Sequence, residues 1–228
     1  MKKSVFLFLL SLIAVVMPAR ADQAEHLKDL ITRVESCEAI LQEFQSRPET
    51  AIPTEVLSKA KAIIIVNQLK AGVILGVQEG YGVILVKRAN GTWSLPLLLN
   101  AGETSLGFQL GMNTVEVVYV ITDDATPRML FKNRMNVGVD AKAVAGPKYA
   151  DAQKNNKALL ESPVLVYTKK AGFYAGATVK AGWLSKDDEN NKILYKTTFN
   201  FPELVYSDWV SPIEQVLPLQ RMVARICR

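Results

Sequence analysis

The chain has 228 residues, 49% of them hydrophobic and 21% charged, with a formal net charge of +5, thirteen glycines, two cysteines and one histidine. That length suffices for one large domain or two small ones with a sizeable core. A lone histidine, His26, leaves a Ser-His-Asp or Cys-His hydrolase without a well-placed base, and with two cysteines it cannot furnish a zinc site.

Residues 1–21 read as a cleaved signal peptide: Lys2 and Lys3 precede an apolar run from Val5 to Met17, followed by the small-residue pattern Ala19-Arg20-Ala21. The run is shorter than the roughly 20 residues that span a bilayer. Cleavage would leave residues 22–228, beginning at Asp22 rather than at the cysteine of a lipoprotein, in the periplasm or outside the cell. It also removes three cations, which lowers the net charge from +5 to +2. Nucleic-acid binding, which rests on a strong basic surplus or stripe, is therefore not expected. Cys37 and Cys227 lie near the two ends of the mature chain in a compartment that can oxidise thiols, and a disulfide between them is expected, with two buried free thiols as the alternative.

From Ala24 to Phe44 apolar residues recur three and four apart, which predicts an amphipathic helix ending before Pro48; a second short helix is expected at "PTEVLSKAKA". These helices make up residues 24–61. Beyond them "AIIIVNQ", "GVILVKR", "TVEVVYVIT" and "SPVLVYTKK" read as strands of a β-rich core over residues 62–210. Asn90-Gly91 predicts a hairpin with a type I′ turn. "DDATPRMLFKNR" predicts a short helix capped by Asp123 or Asp124 with Pro127 in its first turn, and the acidic run Asp187, Asp188, Glu189 reads as a solvated hairpin loop. The tail predicts a C-terminal helix over 211–227, with Ser211 as cap, Glu214 completing a capping box, and Pro218 bending the helix or delaying its start. The expected fold is a single α+β domain: a mainly antiparallel, strongly curved or barrel-like sheet with N-terminal and C-terminal helices packed on it.

"KAGVILGVQEGYG" at Lys70 and "KKAGFYAGATVKAG" at Lys169 repeat one phrase one hundred positions apart. Gly72 and Gly76, Gly107 and Gly111, and Gly172 and Gly176 share a four-residue spacing, which in a strand leaves one face without side chains. Such glycines are tolerated where a bulge, a sharp bend or a close backbone approach needs the missing Cβ. A membrane helix over 62–86 would bury Lys70 and Glu79, and a phosphate loop would need a following Gly-Lys-Ser/Thr that is absent.

The order of the blocks beginning "IPTEVLSKAKAIIIVNQLKAGVILGVQEGYGVILVKRANGTWSLPLLLNAGETSLGFQLG", then "VVYVITDD", "VGVDAKAVAGP" and "VYTKKAGFYAGATVKAG", resembles the SYLF domain over roughly residues 50–200. The resemblance implies binding to acidic or phosphoinositide-type lipids, actin filaments in some eukaryotic members, and no enzyme activity. The export signal and the lack of an appended Src-homology or FYVE module depart from those members and argue against actin. The second glycine block also lacks the family's serine, reading Thr168-Lys169-Lys170-Ala171-Gly172.

The candidate lipid-binding residues are the cations beside the glycine blocks: Lys70, Lys87, Arg88, Lys169, Lys170 and Lys180. Each is worth about 1 kcal/mol near an anionic surface. The expectation is a membrane-associated, non-catalytic module that recognises anionic phospholipid, with no cofactor and no metal. The alternative is a structural or protein-interaction domain of the cell envelope whose glycine faces admit a partner. Oligomeric state stays open.

Overall fold

The computed structural model describes the backbone of residues 2–70, 77–104, 113–132, 134–146, 162–170, 173–174 and 182–228, and the side chains of 22–68, 80–102, 115–132, 134–146, 162–169 and 182–228. Gly72, Gly76, Gly107, Gly111, Gly172, Gly176 and Lys180 lie outside the described residues.

A continuous helix, α1 (Lys2–Gln45), contains the amphipathic stretch expected from Ala24. Its buried stripe is the expected one, with Leu30, Val34, Cys37, Leu41 and Phe44 each at most 1% exposed. Pro53 then precedes the single-turn helix α2 (Thr54–Leu57), its fixed φ of −58° being compatible with helix entry.

The sheet begins with four antiparallel strands, β1 (Ala62–Lys70), β2 (Val77–Val86), β3 (Leu97–Thr104) and β4 (Asn113–Ile121), with β1 paired to both β2 and β4. Ala62 to Val66 are all 0% exposed, so β1 is covered on both faces, as an unbroken apolar run requires. The later strands are β5 (Met135–Asn136), β6 (Ala143–Ala145), β7 (Val164–Lys170), β8 (Phe173–Tyr174) and β9 (Gly182–Lys186). The order across the sheet is β5-β9-β3-β2-β1-β4-β7-β6, with β8 on β7 and only β6–β7 parallel.

This order requires the sheet to curl. Its edge strands β5 and β6 are joined by residues 137–142 alone, a link that reaches at most about 25 Å. Eight strands laid flat would separate those edges by about 34 Å at the usual spacing. The expected curved, barrel-like antiparallel sheet is thus formed, with helices packed on it.

Three helices follow the sheet's local chemistry. In α3 (Thr126–Lys132), Asp123 Oδ1 accepts the Thr126 N–H at 3.1 Å and Pro127 lies in the first turn, as read from the sequence. The acidic run is not a hairpin loop: Asp187, 8% exposed, caps α4 (Asp188–Tyr195) by accepting the Asn190 N–H, and Asp188 and Glu189 occupy its first turn, where carboxylates suit the helix dipole. A further helix, α5 (Phe201–Tyr206), starts at a reciprocal capping box between Asn200 and Glu203.

The C-terminal expectation holds in the delayed helix start at Pro218 but not in the cap. No capping box forms at Ser211; a 3-10 turn at Glu214–Val216 leads into α6 (Leu217–Ile226), whose Pro218 sits in the first turn, where its missing N–H costs nothing. The Asn90-Gly91 hairpin forms, but not through a type I′ turn. Gly91 alone has positive φ, +84°, while the Gly91 N–H reaches the Arg88 carbonyl and the Arg88 N–H the Thr92 carbonyl, the pattern of a three-residue loop ending in a glycine bulge.

Candidate functional site

A row of polar residues crosses the sheet at one transverse level. Registers pair Asn100 with Tyr81, Tyr81 with Asn67, Asn67 with Glu116, and Glu116 with Lys169, so five strands contribute one residue each to the same face. Helix α1 lies over this row. Ser36 shares a 2.8 Å hydrogen bond with the Tyr81 hydroxyl, which also accepts from Asn67 Nδ2 at 3.1 Å, and the Arg33 guanidinium sits 5.5 Å from the Tyr81 ring centre. At the far end Lys169 Nζ pairs with Glu43 of α1 and lies 3.1 Å from a Glu116 carboxylate oxygen. Burial alone would lower the Lys169 pKa, but the hydrogen bonds and charges of Glu43 and Glu116 outweigh it and hold the ammonium above its ordinary value.

Beyond this row lies the glycine-rich end of the sheet. The strand ends that flank residues 71–76, 105–112 and 175–181 all meet there, since Lys70 pairs with Asn113, Val77 with Thr104, Gly182 with Glu103, and Lys170 with both Val115 and Phe173. Both copies of the repeated phrase thus begin at this end of the sheet. By register Lys70 and Lys170 flank β4 on the face opposite Lys169, because Gln68, Val115 and Lys170 share a level and Lys70 is two residues from Gln68.

The remaining cations serve other contacts. Arg88, its side chain 11% exposed, donates from Nε to the Val205 carbonyl at 2.7 Å and from Nη2 to the Ser207 carbonyl at 2.9 Å, and it pairs with Asp208. Its charge therefore fastens the end of α5 to the sheet. Lys87 turns the other way, donating to the Cys227 carbonyl at 3.3 Å, with its ammonium 5.9 Å from the Trp93 ring centre. It lines a cleft of about 510 Å3 together with Trp93, Gln220, Arg221, Cys227 and Arg228, which brings Lys87 to cations far from it in sequence.

The expected disulfide is absent: Cys37 and Cys227 are both buried free thiols. The Cys37 thiol is engaged with the Ile65 carbonyl of β1 at 3.7 Å, whereas Cys227 ends α6 beside Lys87. Burial raises both thiol pKa values, that of Cys227 to about 12 against the opposing pull of Lys87. Among the described residues no group of His, Cys, Asp and Glu is arranged to hold a metal ion, and no helix is long and apolar enough to cross a membrane.

Residues 102–226 match the family described as "Ysc84: Las17-binding protein actin regulator". The chain belongs to the Ysc84 family. Relatives of this Ysc84 chain include the bovine "SH3 domain-containing YSC84-like protein 1", 25% identical over 77% of this chain and 53% of its own length. The human protein of the same name is 24% identical over the same shares, and yeast "LAS seventeen-binding protein 3" (Saccharomyces cerevisiae) is 28% identical over 77% of this chain and 39% of its own. The chain therefore spans about half, or less, of these relatives. The yeast relative's name is that of a binding protein, which is consistent with a non-catalytic module.

The polar row and the cleft escaped the sequence reading. A faint signal for the row existed: each central strand carries one polar interruption in an apolar run, Asn67 in "AIIIVNQ", Asn100 after "LPLLL" and Glu116 in "TVEVV". Only the registers show that the interruptions align. The cleft joins Lys87 to Arg221, and no local pattern announces a contact across that separation.

Proposed function

We propose that this Ysc84-family chain is an exported, non-catalytic module that binds anionic phospholipid at a membrane face through the glycine-rich end of its sheet. The observation that carries the reading is the register of Lys70 and Lys170, which share one face on either side of β4 next to the strand ends that flank the glycine segments. Lys180, between β8 and β9 in sequence, joins the set as a candidate from the sequence alone. Each such charge at an anionic surface contributes about 1 kcal/mol, enough in sum for reversible attachment. Arg88 and Lys169 are committed to internal partners and are left out of the binding set. Export rests on the charged, apolar and small-residue sections of residues 1–21, and places the mature start at Asp22.

Vesicle co-sedimentation tests the reading. The protein should pellet with vesicles rich in phosphatidylglycerol and not with phosphatidylcholine alone, and less so in 1 M salt, where the Debye length is about 3 Å. Replacing Lys70, Lys170 and Lys180 together by Gln should reduce pelleting, and replacing Arg221 should not. No pelleting of the wild type at low salt would overturn the lipid reading. It would favour the second reading, a protein-interaction domain, which the description of the family as an actin regulator supports.

A further inference from the structure

The end of the sheet remote from Lys70 carries two surfaces of opposite charge. One is an aromatic tip. Trp209 is 83% exposed and Tyr206 47% exposed, with the Phe199 ring centre 6.3 Å from that of Trp209. Large aromatic side chains left this open on a well-held loop are the usual anchors of protein contacts. The loop is well held: the Arg88 guanidinium grips Val205, Ser207 and Asp208 in the residues just before Trp209.

The tip is acidic. From Thr197 to Gln220 the chain has no lysine or arginine and three carboxylates, Glu203, Asp208 and Glu214. Asp208 is 74% exposed beside Trp209, and Glu203 folds back onto the Asn200 N–H next to Phe199. An anionic membrane would repel this surface, so it does not extend the lipid face.

The second surface is the cleft between the β2–β3 hairpin and α6. Lys87, Arg221 and Arg228 line it, no carboxylate side chain does among the described residues, and Trp93 lies at its wall. Its volume of about 510 Å3 falls in the range that receives a small ligand or an anchoring side chain. None of the tip residues lines it. Because Lys87 and Arg88 reach to different helices, the cleft and the tip are separate surfaces of one chain.

We propose that the Trp209 tip of one copy inserts into the Lys87–Arg221–Arg228 cleft of a second copy of this chain. With Asp208 already paired to Arg88, the tip keeps a negative balance from Glu203 and Glu214, so the indole meets an aromatic wall while Glu203 faces the cations at the rim. The contact is heterologous, since the two surfaces differ, so every copy offers one free tip and one free cleft and the assembly propagates as chains or closes as rings. A single buried anchor with a few rim charges makes the contact weak, so it forms at high local concentration.

Sedimentation velocity over rising protein concentration tests this. The weight-average sedimentation coefficient of the wild type should climb with concentration at low salt, and the climb should vanish in 1 M salt. Trp209→Ala and Arg221→Glu, both at exposed positions, should each stay monomeric with unaltered melting temperature. An equimolar mixture of the two variants should form a 1:1 dimer and nothing larger, because the intact tip of one fits the intact cleft of the other. A wild type that is monomeric throughout, variants that associate like the wild type, or a mixture that behaves as its separate components would each overturn the proposal.

Discussion

The indole of Trp183 on β9 lies against Gly102 on β3, its direct partner across the pair, so closely that a methyl group on Gly102 would overlap the ring. Arg134 covers the same ring, its guanidinium carbon 4.3 Å from the ring centre. The glycine is thus a seat for the aromatic. Gly102→Ala should destabilise the protein by about 1–3 kcal/mol through overpacking. Coupled to Trp183→Ala it should cost less than the sum of the two single changes, read by chemical denaturation. Strict additivity would separate the two residues.

Lys169 should carry a stability role through its two carboxylate partners. Lys169→Met leaves Glu43 and Glu116 facing each other without their shared cation, at a cost of about 1–3 kcal/mol, below that of a wholly buried pair because Glu43 is half exposed. The folded-state pKa of Lys169 is raised, so its stabilisation is whole below about pH 10.4, the free lysine value, and is lost as pH rises through the folded value. The melting-temperature gap between wild type and variant should hold from neutral pH to about 10 and close above that. Equal melting at pH 7 would remove the role.

Asn191 takes the place of a strand residue. Fully buried on α4, it accepts the Leu98 N–H at 2.8 Å and donates to the Leu98 carbonyl at 2.9 Å, continuing the edge of β3 past the point where β9 turns into helix. Asn191→Ala leaves the buried Leu98 N–H unpaired at a cost of about 1–3 kcal/mol, while the Leu98 carbonyl keeps the Asp187 N–H at 3.2 Å. Hydrogen exchange at the Leu98 amide should accelerate more than at neighbouring β3 amides.

The two thiols should be unreactive in the folded protein. The thiolate is the reactive form, and burial raises both pKa values. A thiol reagent should label neither site natively and both after denaturation, with an intact mass two hydrogens above that of the bridged form. A mass matching the bridge would restore the pairing expected from sequence.

What could be read in advance was periodic and local. The α1 stripe, the four long strands and the Asp123 cap each declare themselves within a dozen residues, through spacing or a single capping group. Asp187 to Glu189 were misread because an acidic cluster suits both a solvated loop and a helix N-terminus; burial of Leu194 and Tyr195 against the sheet selects the helix. Arg88 and Lys169 looked like surface cations because nothing near them in sequence reveals the carbonyls of 205 and 207 or the carboxylate of Glu43. Partners brought together only by the sheet's curl leave no local trace.

The two edge strands bear on how this molecule can be approached. β5 is two residues long and β6 three, so among the described residues the sheet ends without a long row of unpaired backbone groups at either side. Such stubs give an incoming strand almost nothing to bond, which guards against fibrillar stacking and closes the route by which extended peptides are recruited through main-chain pairing. Along these described edges a partner must be met by side chains.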